Sequence, residues 1–119
     1  MASILIVTAE NDRFRPLADA LAANGGHTVN WAVDGQAALA AVTEAPPDMV
    51  VVDETLADMA GLALVRQLIQ VNAWIQCAVA SGLDETAFHD LSEGLGVAVH
   101  LPLVPSPGEA DRIDRFLKG

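Results

Sequence analysis

Asp53 closes the apolar part of "DMVVVDETLADMAG" (residues 48–61), where three valines run into an aspartate and a glycine follows after seven intervening residues. A lone carboxylate at the end of such a run is suited to accept backbone N–H bonds in the turn that follows, and any further role depends on what stands beside it. Few other side chains could do chemistry. Ser81 ends "CAVAS" and reads as a turn or capping hydroxyl. His100 lies in "VAVHL", where a half-exposed packing role is expected. Cys77, the single cysteine, sits within an apolar run and reads as a small buried hydrophobe. His27 and His89 are expected at the surface, and three scattered histidines do not have the spacing of a metal site. Asp34 and Asp84 read as helix N-caps. The segment "TAENDR" (8–13) contains no glycine, so it is neither a phosphate-cradling loop nor a dinucleotide fingerprint. With no nucleophile beside an evident base, no enzyme is expected.

The elements that must position these residues follow from hydrophobic period. Short apolar runs at 3–8, 28–33, 49–53, 77–81 and 97–101 read as strands. Helical spacing separates them: Phe14, Leu17, Ala18 and Leu21 share one face, Leu62, Val65 and Ile69 a second, and Ala110, Ile113 and Leu117 a third. "NGG" at 24–26 should stop the first helix, and "SPGE" at 106–109 offers Ser106 as N-cap, Pro107 at the first helical position and Glu109 to close a capping box. Strands alternating with helices give a parallel α/β sheet covered on both faces, with chemistry expected at the carboxyl ends of its strands. A chain of 119 residues at 52% hydrophobic is expected to form a single domain over 1–119. Six basic residues against a formal net charge of -10 argue against a nucleic-acid partner. The opening "MASILIVTAE" lacks a basic region and its apolar run is too short for an export signal, and no run is long enough to span a membrane, so a cytoplasmic location is expected.

Four segments occur in a telling order: "ILIV" (4–7), "GHTVNWAVDGQAAL" (26–39), "PPDMVVVDETLADMAG" (46–61) and "GVAVHLPLVPSP" (96–107). Together they resemble a response-regulator receiver domain from about Ser3 to Leu117. The resemblance implies a flavodoxin-like (βα)5 three-layer, doubly wound sandwich with strand order 2-1-3-4-5. It places Asp53 at the phosphoacceptor position, Ser81 at the switch hydroxyl and His100 at the aromatic switch position.

The same resemblance exposes departures. The acidic pair that should hold Mg²⁺ reads Thr8 and Ala9, and the lysine that should meet the phosphoryl group reads Leu103. Mg²⁺ wants near-octahedral oxygen coordination, and Glu10, Asp53 and Thr55 are the residual donors that could contribute; a metal is not expected. The only lysine is Lys118, so Asp53 is expected to lack a cationic partner and to be a poor acceptor. The family's turn proline and aspartate align with Ala57 and Ala60, and the proline after its lysine aligns with Val104. A cis proline bond is therefore unavailable there, and a rerouted loop bracketed by Pro102 and Pro105 is expected.

These features imply a degenerate, or pseudo-receiver, signalling module of a two-component phosphorelay that acts by protein contact without a cofactor. The alternative is a working phosphoacceptor, loaded on Asp53 by a partner histidine kinase with Mg²⁺. The expected contact surface is the face of the fourth helix, last strand and last helix, through Ala98 and His100, for a kinase, phosphotransfer or output protein, or for self-association.

Overall fold

The apolar runs form strands because the central ones must be buried on both faces. In the computed structural model, which describes residues 2–118, β1 (Ser3–Val7), β2 (Thr28–Ala32), β3 (Met49–Asp53), β4 (Gln76–Ala80) and β5 (Val99–Leu101) make one parallel sheet in the order β2-β1-β3-β4-β5. Helices α1 (Asn11–Asn24), α2 (Gly35–Glu44), α3 (Gly61–Val71), α4 (Glu85–Ser92) and α5 (Glu109–Lys118) alternate with the strands. This is the flavodoxin-like doubly wound architecture.

Alternate residues of each strand feed opposite cores, as the two-residue period of a strand demands. Ile4, Ile6, Met49, Val51, Ala78, Ala80, Val99 and Leu101 pack against α1 and α5 through Phe14, Leu17, Leu21 and Ile113. Leu5, Val7, Val50, Val52, Cys77 and Val79 face Ala38 and Val42 of α2, Leu64, Val65 and Leu68 of α3, and Phe88 of α4. Asp34 caps α2 by accepting from the Ala37 N–H at 2.9 Å, and Asp84 caps α4 by accepting from Ala87 at 2.8 Å, as expected.

Several expectations need correction. The buried stripe of α3 is Leu64, Val65 and Leu68, with Leu62 and Ile69 at its half-buried margins. β5 starts at Val99 instead of Val97, because Gly94 and Gly96 adopt positive φ and the chain joins the sheet late. Glu109 does not close a capping box: its carboxylate takes Arg112 at 2.8 Å. His27 is buried instead of exposed. Its Nδ1 accepts from the Ala2 N–H at 3.0 Å and its Nε2 meets Asp114 at 2.9 Å, a site open only because Gly25 has no Cβ to overlap the imidazole. His89 is exposed, as expected.

Candidate functional site

The carboxyl ends of β1 and β3 bring Thr8 and Asp53 together. Thr8 is fully buried, and its backbone N–H continues the ladder to Ala32 at 3.0 Å, which fixes the direction of the side chain. Its hydroxyl donates to Asp53 Oδ2 at 2.9 Å and accepts from the Glu10 N–H at 2.9 Å. That second bond holds the chain where it turns from β1 into α1. Asp53 itself is only 2% exposed.

A carboxylate so buried needs a cation, and Arg13 supplies it. From the first turn of α1 the guanidinium reaches over the strand ends, where Nη2 donates to Asp53 Oδ2 and to Glu10 Oε2, the latter at 3.0 Å. Nη1 donates to the backbone carbonyl of Leu103 at 2.7 Å. The expectation that Asp53 stands without positive charge is therefore wrong. It weighed lysine at the loop after β5, whereas the charge arrives as arginine from the first turn of α1. A signal was present: Arg13 is one of six basic residues and lies in the loop-to-helix segment at the functional end of the sheet.

The remaining positions fall around this pair. Ala9 is exposed and offers no side-chain ligand. Glu10, its side chain 70% exposed, has one carboxylate oxygen engaged by Arg13. Thr55 is exposed and bridges Ala60 across the turn after β3. Gly61 begins α3 there with its N–H donating to Glu54 O at 2.9 Å, and a Cβ at Gly61 would collide with the Asp53 carbonyl oxygen. This close approach explains the glycine that follows the aspartate after seven intervening residues. Asp58 in the same turn accepts from the Gly35 and Gln36 N–H groups at 2.9 and 3.0 Å, and the Gly35 bond leads in holding its carboxyl below the usual value. Among the described residues no three His, Cys, Asp or Glu side chains converge as a metal site would require. The two carboxylates here, Asp53 and Glu10, are both engaged by the Arg13 guanidinium, a cation where Mg²⁺ would need free oxygen donors, so the set does not fit Mg²⁺.

Ser81 sits at the end of β4, buried, where its hydroxyl accepts from the Leu83 N–H at 3.1 Å as a turn-forming serine does. Glu54 accepts from the Gly82 N–H at 2.9 Å in the same loop. His100 stacks face to face on Phe88, ring centroids 3.9 Å apart, and its Nδ1 meets Glu85 at 3.1 Å. Its Nε2 is buried without a hydrogen-bond partner. The residues around this ring include Glu85, His89, Ser92 and Arg112, so the face is more polar than the sequence "VAVHL" suggests. Leu103 occupies the loop after β5, where all peptide bonds among the described residues are trans.

The family model described as the response regulator receiver domain matches residues 4–99. The chain belongs to that family. Solved structures share the receiver fold at low identity. NtrX from Brucella abortus superposes with a TM-score of 0.83 at 24% identity, covering 98% of this chain and 27% of NtrX. A receiver domain protein (CheY-like) from Methanospirillum hungatei gives 0.86 at 18% over 99% of this chain and 94% of its own. The receiver domain of the Francisella response regulator 1452 gives 0.87 at 20% over 99% and 98%. This receiver domain thus spans about a quarter of NtrX. No curated protein matches it. Among its described residues no helix is long and apolar enough to cross a membrane.

Proposed function

We propose that this receiver domain signals by protein contact and does not take a phosphoryl group on Asp53. The observation that carries the reading is the guanidinium of Arg13 seated on Asp53 Oδ2, together with the Thr8 hydroxyl on the same oxygen. Phosphoryl transfer is catalysed by positioning and by cations aimed at the transferred group's oxygens. Here the cation is committed to the ground-state carboxylate, and positions 8, 9 and 103 supply neither metal ligand nor ammonium. Losing one preorganised electrostatic partner costs on the order of 100 to 1,000-fold in rate. The domain is accordingly assigned no Mg²⁺ and no turnover of its own.

The contact surface proposed is α4, β5 and α5, where Ala98 and His100 are half-buried and Leu91 is exposed. A kinase, phosphotransfer or output protein is the class of partner. The alternative, a phosphoacceptor served by a histidine kinase in trans, requires Arg13 to leave Asp53 and turn toward the incoming phosphoryl oxygens. A beryllofluoride titration with Mg²⁺, followed by NMR, distinguishes the two. No saturable shift at Asp53 and Ser81 is expected, and saturable shifts centred on those residues favour the alternative.

A further inference from the structure

Residues 102–105 form a loop with two prolines, which have no N–H to donate. Among the described residues, the hydrogen bond found on this loop is the one from Arg13 Nη1 to the Leu103 carbonyl, at 2.7 Å. The same guanidinium meets Asp53 through Nη2. The two nitrogens belong to one rigid plane, so they cannot reorient independently. Anchoring Nη2 on a buried carboxylate aims Nη1 at the loop.

We propose that Arg13 is a tie-bar: it makes the placement of the 102–105 loop depend on the negative charge of Asp53. The loop carries Leu103 and Val104, both exposed apolar side chains, with Leu103 lying against Gly82 of the loop after β4. Any event that neutralises Asp53 or draws Arg13 away from it removes the anchor that orients the fork. Glu10 does not replace it, because a carboxylate 70% exposed is well solvated and holds an arginine weakly. The loop then loses its tether and the apolar pair loses its fixed presentation. Two strand ends on the carboxyl edge of the sheet, the β3 terminus and the β5–α5 connection, are in this way joined through a side chain from α1. The device goes beyond the function proposed above and stands whether or not Asp53 accepts phosphate.

Backbone nitrogen relaxation at Leu103 and Val104 tests it. In the unaltered protein both amides should behave as ordered backbone, with order parameters near about 0.85, and Asp53→Asn should drop them below about 0.6 although Arg13 and Leu103 are untouched. Arg13→Lys keeps a positive charge beside Asp53 but has no planar fork to span to Leu103, and the same loosening is expected. Ile6 and Val51 in the sheet serve as the control and should remain ordered in both variants. The tie-bar is overturned when Leu103 and Val104 stay as ordered in either variant as in the parent protein, or when they are already disordered in the parent.

Discussion

At the scale of single residues, Asp53 and Arg13 define the site. With the Asp53 side chain 3% exposed and that of Arg13 18%, the pair is nearly dry, and breaking it strands a charge. Arg13→Met should destabilise the fold by about 2–4 kcal/mol, toward the lower side of what buried pairs lose, because the arginine keeps some water contact. Urea denaturation measures it. Adding Asp53→Asn to Arg13→Met should recover part of that loss, since the stranded charge is gone; equal or greater instability in the double variant would contradict the pairing. The tether to Leu103 follows the same arithmetic. A single hydrogen bond nets about 0.5–1.5 kcal/mol, whereas fixing an arginine side chain costs up to about 2 kcal/mol. The carbonyl alone does not hold the fork in place. Asp53 and Ser81 were legible in the sequence as strand-end residues because position along the sheet follows from pattern. Arg13 was legible only by its place in the segment after β1, since a long side chain can cross from a neighbouring element and strand or helix period does not report its reach.

At the scale of elements, the turn between β3 and α3 joins two helices to the site. Asp58 reaches back to the first N–H groups of α2, adding to the cap that Asp34 provides, and its carboxyl is held below its ordinary value of 3.8 chiefly by the Gly35 N–H. For a carboxylate with a depressed folded-state pKa the stabilisation is present above the unfolded value and is lost as pH falls through the folded one. Asp58→Asn should therefore lower stability near neutral pH, and the difference from the parent should close as pH falls below about 4. Denaturation midpoints at a series of pH values would show this, and a difference independent of pH would contradict it. Boundaries were readable where a residue type forces the backbone. "NGG" stops α1 at Asn24, and Asp34 and Asp84 cap as read. They were less readable where tertiary packing decides. α3 rotated its buried stripe to Leu64 and Leu68, and the late entry of β5 depends on two glycines at positive φ. His27 was misplaced because its neighbours, Gly25 and Gly26, suggest an exposed turn, while the space left by Gly25 and the carboxylate of Asp114 admit the ring to the interior.

At the scale of the whole molecule, the sheet order and both cores follow from continuous apolar strands flanked by amphipathic helices, and the family match agrees with that reading. The formal net charge of -10 is carried by a surface with few cations to spare, yet one of the six basic residues is placed beside the buried carboxylate at the functional end. On the function proposed above, ion-pairing that aspartate from within fixes a charge balance that a phosphoacceptor would need open. The most direct test is intact-mass analysis of the purified protein after incubation with acetyl phosphate and Mg²⁺, with the modified residue mapped. The expected result is an unmodified chain; stoichiometric addition of one phosphoryl group at Asp53 would contradict the account.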